Sequence, residues 1–216
     1  MSIGDFFKIK GRIWSDQIHV VSNFYKSPRF AGIDLAFGFF SLFSNPYRTC
    51  RKFLQKKGKK EIYAYGETPL STLEIIAKTC ELKPEDTWME LGSGRGRGCF
   101  WIAHFIGCKT IGVEWVPSFI RLGSFLKSCF QMKNLSFHLQ NMEEADFRSA
   151  TVIYLYGTCL ETESLDKILQ KMEALPTGAR VISVSEPLAN NHFVLQKEFD
   201  VSYPWGETKA YLHSRK

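Results

Sequence analysis

Residues 87–114 constrain this chain more than any other stretch. Thr87-Trp88-Met89-Glu90-Leu91 is an apolar run carrying an acid near its end, and Gly92-Ser93-Gly94-Arg95-Gly96-Arg97-Gly98 follows it. Cys99 to Ile106 is long enough for a buried helix, and Thr110-Ile111-Gly112-Val113-Glu114 is a second apolar run ending in an acid. A strand, a glycine turn, a helix, a strand and an acid make a nucleotide-binding half-unit. The glycines admit positive φ and let a ligand lie against bare main chain. The helix that starts there points its free amides and its positive dipole end at that ligand.

Three nucleotide patterns compete for this turn. A phosphate-cradling loop needs Lys followed by Ser or Thr after its last glycine, and neither Gly96-Arg97 nor Gly98-Cys99 supplies it. A dinucleotide fingerprint needs GxGxxG. Begun at Gly92 it puts Arg97 in the third glycine slot, and begun at Gly94 it puts Cys99 there. The pattern that fits is acid-x-Gly-x-Gly-x-Gly, Glu90 to Gly96.

That pattern is similar to the first motif of class I S-adenosylmethionine-dependent methyltransferases. The resemblance implies a cofactor site made by Glu90, Gly92, Gly94, Gly96 and Glu114. Glu114 would grip both ribose hydroxyls, which suits a carboxylate because it accepts two hydrogen bonds at once. Glu90 would lie near the amino group of the methionine moiety. The pair after the third strand, Asn141 and Met142, would meet the adenine with an amide for the base edge and a soft side chain for the ring face. An ordinary turn explains that pair equally well.

The chain has 216 residues and a net charge of +6. Its length suits one sizeable domain. The charge is uneven: residues 1–60 hold twelve Lys and Arg against three acids, a net +9, and the rest is −3. Six cysteines, Cys50, Cys80, Cys99, Cys108, Cys129 and Cys159, form no CxxC pair and no metal-ligand spacing with His. They imply a reducing, cytoplasmic compartment. Met1-Ser2-Ile3-Gly4-Asp5 lacks the layout of a secretion signal. No run reaches the roughly 20 apolar residues needed to span a bilayer.

The sequence divides into an N-terminal extension, residues 1–60, and a methyltransferase-like domain, residues 61–216. The extension mixes aromatic and basic residues. Ala31 to Phe43 is strongly apolar with Asp34 its only charge, and Arg48 to Lys60 is a cationic run. Such a segment can lie on an anionic membrane surface or bind nucleic acid. It can equally be a helix packed on the domain, followed by a solvated basic helix. Thr68 is placed to cap a helix over Leu70–Cys80, with Pro69 at its first position. Helices over 118–132 and 161–175 alternate with strands at 135–139, 150–156 and 179–184. A closing hairpin pairs 199–203 with 209–213. The fold expected is α/β: a Rossmann-like, doubly wound, mostly parallel sheet with a C-terminal antiparallel hairpin, preceded by a helical aromatic and basic segment.

The resemblance to the class I methyltransferase sheet covers roughly residues 63–213, and within it two lysine methyltransferase groups are most similar. Tyr65-Gly66-Glu67-Thr68 resembles the loop that lies over the cofactor in enzymes of the disruptor-of-telomeric-silencing type. Overall size, Ser149-Ala150-Thr151-Val152-Ile153, Gly178-Ala179-Arg180-Val181-Ile182-Ser183 and the aromatic hairpin resemble the small enzymes that methylate lysine in the ATP synthase c subunit. Tyr154-Leu155-Tyr156-Gly157-Thr158 lacks the Asn- or Asp-Pro-Pro pattern of enzymes that methylate amide or base nitrogens. The resemblance implies a protein substrate and adds Tyr65 to the cofactor-binding residues. A lysine nucleophile must lose its proton, which an apolar, aromatic channel favours by desolvation. Tyr65 and Tyr156 are candidates for its walls, ordinary core or edge-strand tyrosines are the other reading, and no general base is assigned. A small-molecule or RNA methyltransferase, or a non-catalytic S-adenosylmethionine-binding module, fits the same motifs.

Overall fold

The computed structural model describes residues 3–62, 65–157 and 160–216. Tyr63 and Ala64 of the Tyr65 loop, Thr158 and Cys159 after the fourth strand, and Met1 and Ser2 lie outside the described residues.

Seven strands form one sheet: β1 (Thr87–Leu91), β2 (Lys109–Glu114), β3 (Leu135–Leu139), β4 (Val152–Leu155), β5 (Arg180–Val184), β6 (Phe193–Tyr203) and β7 (Gly206–Arg215). Their order is β3-β2-β1-β4-β5-β7-β6, with β7 antiparallel to both neighbours and the β3-to-β5 run parallel. The central strands are buried on both faces, so they read as unbroken apolar runs. The chain winds outward from β1 to β2 and β3, then returns to lay β4 on the other side of β1. Open α/β sheets bind ligands at such a switch point, beyond the carboxyl ends of the strands.

The helices are α1 (Ile3–Asn23), α2 (Pro28–Phe43), α3 (Pro46–Lys56), α4 (Leu70–Thr79), α5 (Arg97–Trp101), α6 (Pro117–Cys129) and α7 (Thr162–Met172). The helix expected over 99–106 is α only as far as Trp101 and continues as a π-helical turn, Ile102–Ile106. Both hairpin strands are longer than the alternation indicated, and the exposed residues of β6, the edge strand, carry little apolar signal.

Thr68 does not cap α4. Its hydroxyl lies 2.8 Å from Tyr154 Oη, and Pro69 precedes the helix without a side-chain cap. The free amide of Ser71 is taken by Asp16 of α1 at 2.9 Å, and the Ser71 hydroxyl donates to the same carboxylate oxygen at 2.6 Å. A cap drawn from a distant helix leaves no trace in local sequence.

Of the readings the sequence allowed for the extension, packing on the domain is the one its inner faces bear out. Val20, Phe24 and Phe30 share one buried cluster with Trp88 and Trp101, and Ile33 and Phe37 share another with Cys99 and Phe100. Phe24 meets Trp101 edge to face at 5.4 Å. The boundary at residue 60 is therefore a change of charge and not of packing. α1 lies against α4 and α2 against α5, adding a layer outside the helices that cover one face of the sheet.

Candidate active site

The glycine turn is held by the strand beside it. Gly92 and Ser93 donate their amides to Val113 O at 2.9 and 3.0 Å, and Gly94 donates to Glu114 Oε2 at 2.8 Å. Gly92, Gly94 and Gly96 have φ of +76°, +56° and +91°, which side chains disfavour. The second oxygen of Glu114 accepts from Val116 at 2.7 Å, so the acid at the end of β2 braces the turn and opens into the cleft. Burial raises its pKa, and the amide bonds oppose that rise.

The three glycines divide by what they face. Gly92 borders the cleft, where an added Cβ would lie 3.1 Å from the Met142 methyl. Gly94 borders a smaller pocket beneath it, and a Cβ there would lie 3.1 Å from the Tyr65 ring. Gly96 was expected beside them, but a Cβ there would fall 2.4 Å from the Phe137 ring of β3. It is a packing glycine, since the space beside it is filled by Phe137 and it lines neither the cleft nor the smaller pocket. Gly98 takes a place the motif did not assign: a Cβ there would lie 3.2 Å from Glu90 Oε2.

The cleft gathers Tyr65, Glu114, Asn141, Met142 and Tyr156 from four separate segments. Asn141 Oδ1 accepts the Glu143 amide at 3.2 Å, a local turn that leaves the amide nitrogen of the side chain available. α3 contributes Cys50 and Leu54, and Lys59 follows from the connection after it, so the extension walls the cleft as well. Beneath lies the smaller pocket, lined by Gly66 to Thr68, Glu90, the glycine turn, Tyr154 and Tyr156. Glu90 is buried there and its pKa is pushed up to about 7, chiefly by burial. The Cys99 thiol donates to it at 3.2 Å. A buried acid without a countercharge is poised to receive a cation.

Sequence reasoning missed two groups. The first is Glu67 with Arg95. Arg95 Nε donates to Glu67 Oε1 at 2.8 Å and its Nη1 to Ser41 at 2.6 Å, while Tyr65 donates to the same Glu67 oxygen at 2.5 Å. This ties the loop carrying Tyr65 to the glycine turn and to α2. Arginines between motif glycines, where small residues suffice, were the available signal. The second group is aromatic. Tyr156 stacks on Tyr203 at 4.7 Å, Tyr203 stacks on Trp205 at 5.5 Å, and Trp205 Nε1 donates to Tyr156 Oη at 2.6 Å. Tyr203 Oη also lies 2.9 Å from Tyr154 Oη. The hairpin tip thus closes over the end of β4.

The residues fit S-adenosylmethionine. Gly92 and Gly94 offer bare main chain, Glu114 a braced carboxylate, and Glu90 an acid for the amino group. Solved structures with the same fold include an RNA methyltransferase from Salinibacter ruber in complex with S-adenosyl-L-homocysteine. It has a TM-score of 0.59 and 22% identity over 69% of this chain and 94% of that one. TrmN from Thermus thermophilus has a TM-score of 0.57 and 13% identity over 67% of this chain and 48% of that one. Geranyl diphosphate C-methyltransferase from Streptomyces coelicolor A3(2) has a TM-score of 0.56 and 13% identity over 68% of this chain and 78% of that one. A histone-lysine N-methyltransferase, H3 lysine-79 specific, from Dictyostelium discoideum is 24% identical over 136 residues. That match covers 56% of this chain and 7% of the relative's length. The family model described as histone methylation protein DOT1 matches residues 51–203, from α3 to the end of β6. The chain therefore belongs to the DOT1 histone-methylation family, whose methyltransferases use S-adenosylmethionine.

Proposed function

We propose that this chain methylates a lysine side chain of a protein, using S-adenosylmethionine. One observation carries the reading: the Tyr156–Tyr203–Trp205 stack adjoins the pocket that holds Glu90 and the glycine turn. When bound, the cofactor supplies an electrophilic methyl group on a sulfonium. The chain's residues then have three tasks. Glu114 and the glycine turn fix the cofactor by its ribose, and Glu90 fixes it by its amino group. Tyr156 and Trp205, backed by the buried Tyr203, form an apolar wall that strips water from an incoming ammonium and so favours its neutral, nucleophilic form. Alignment for in-line displacement and exclusion of water supply the rest of the rate. No side chain is needed as a base if desolvation releases the proton before transfer.

The family match and the name of the Dictyostelium relative add support to the lysine reading. The buried free cysteines Cys50, Cys80, Cys99 and Cys108 support a reducing, cytoplasmic location. The test is to incubate the protein with isotopically labelled cofactor, histone octamers and a whole proteome, and to locate the label by mass spectrometry. Label on lysine supports the proposal. Label confined to RNA or to small molecules rejects it, and cofactor binding with no label anywhere assigns a binding module.

A further inference from the structure

The outer faces of the first three helices play no part in methyl transfer. α2 is apolar nearly all round, and a helix of that kind is ordinarily covered on every side. Ile33 and Phe37 are buried towards α5. On the opposite side Leu35, Phe39, Leu42 and Phe43 are 60%, 55%, 80% and 75% exposed, and their spacing makes one stripe. α1 repeats the pattern. Asp16 and His19 bond Ser71 and Glu74 of α4, while Phe7, Trp14, Ile18 and Val21 are exposed along the other face. Both helices lie outside the α4–α5 layer, so both stripes face away from the sheet. α3 begins two residues after α2. It turns Cys50 and Leu54 into the cleft and leaves Arg48, Lys52 and Lys56, four residues apart, exposed on its far side.

We propose that this surface docks the protein on an anionic lipid bilayer. Exposed aromatic and aliphatic stripes on α1 and α2, followed in the chain by an exposed cationic stripe on α3, suit an interface where acyl chains lie beneath negatively charged headgroups. The first 60 residues carry a net +9 against −3 for the remainder, so the charge is concentrated on the segment that presents the stripes. A second copy of the chain would bring two such cationic surfaces together. A nucleic acid would satisfy the cations and leave Ile18, Leu35 and Leu42 in water. Among the described residues no helix is long and apolar enough to cross a membrane, so the helices lie on the bilayer. α3 then has lipid on one face and the cofactor cleft on the other. The inference stands independently of the methyl-transfer reading.

The test is sedimentation of the full chain with phosphatidylcholine vesicles, with and without phosphatidylglycerol. The chain is expected to pellet with the anionic vesicles and to be partly released by salt. Each basic residue near such a surface contributes on the order of 1 kcal/mol, so R48E/K52E/K56E should bind at least about a hundredfold more weakly. L42S/F43S, changed only at exposed positions, should lose the salt-resistant part of binding while keeping the wild-type melting temperature. Comparison of the two vesicle types with the wild-type chain requires no variant to fold. The proposal is overturned if the chain ignores anionic vesicles, or if both variants bind like wild type. It is also overturned if the chain binds duplex RNA or DNA but no vesicle, or forms a lipid-free dimer that L42S/F43S dissociates.

Discussion

Arg97 of the glycine turn donates from Nε and Nη2 to the two carboxylate oxygens of Asp34 on α2, at 2.6 and 3.1 Å. The pair is buried, its side chains 13% and 5% exposed, and Tyr25 adds a third hydrogen bond to Asp34 at 3.0 Å. It joins the cofactor turn to a helix 63 positions away in sequence. It also accounts for the lone acid in the apolar run from Ala31 to Phe43. Removing one member of a buried pair leaves an uncompensated charge, so Asp34→Ala should cost about 3–5 kcal/mol in chemical denaturation. Replacing both partners, Asp34→Leu with Arg97→Met, should recover most of that loss.

Glu114 should affect both affinity and stability. Hydrogen bonds to a charged acceptor contribute about 1.5–3 kcal/mol each. Glu114→Ala is expected to weaken cofactor binding by roughly one to three powers of ten. It should also lower the melting temperature of the cofactor-free protein, because the Gly94 and Val116 amides lose their acceptor. Glu114→Gln keeps one acceptor oxygen and should lie between wild type and Ala. Titration calorimetry paired with thermal melting separates the two effects, and unchanged affinity with a lowered melting temperature would reject the ribose role.

Glu90 sets a pH dependence. Its folded pKa of about 7 lies above its ordinary value of 4.5. The folded protein therefore holds this proton more tightly than the unfolded chain, and the group's contribution worsens as pH rises from 4.5 to 7. Glu90→Gln should remove that dependence and raise cofactor-free stability above pH 7 by something on the order of 3 kcal/mol. Wild-type affinity for the cationic cofactor should rise with pH through the same window, because the carboxylate must be ionised to pair with the amino group. A flat affinity profile across that window would separate Glu90 from cofactor binding.

The glycines should respond differently to substitution. Gly96→Ala drives a methyl group into Phe137 and should cost stability at any cofactor concentration. Gly94→Val should destroy cofactor binding, since its α carbon borders the pocket, and should also cost some stability, because a β-branched side chain is strained at φ of +56°. Melting curves with and without cofactor distinguish a packing defect from a binding defect.

Trp205→Ala should leave cofactor affinity unchanged and slow turnover of the protein substrate. Trp205 is half exposed at the hairpin tip, and its removal opens one end of the stack on Tyr203 and frees Tyr156 Oη. Single-turnover kinetics with a methylatable protein and a separate cofactor titration give the two quantities. An equal loss in both would place Trp205 in cofactor binding.

The local sequence determined the parts of this protein that depend on near neighbours. An apolar run, a turn that only glycine tolerates, and an acid at the end of the next strand specified the nucleotide-binding half-unit, because backbone sterics and strand periodicity act over a few residues. The parallel sheet followed from the same alternation. What only the tertiary structure decided are relationships across long separations: Asp34 with Arg97, Asp16 at the start of α4, Trp205 over Tyr156, and Gly96 beneath Phe137. Each partner taken alone is an ordinary residue on a helix or strand. Its role exists only because burial removes water as an alternative partner, and which groups are buried together is settled by the packing of the whole chain. For the same reason the sequence left open whether the first 60 residues pack on the domain or serve another surface, and only the packing shows that their inner faces complete the core and wall the cleft.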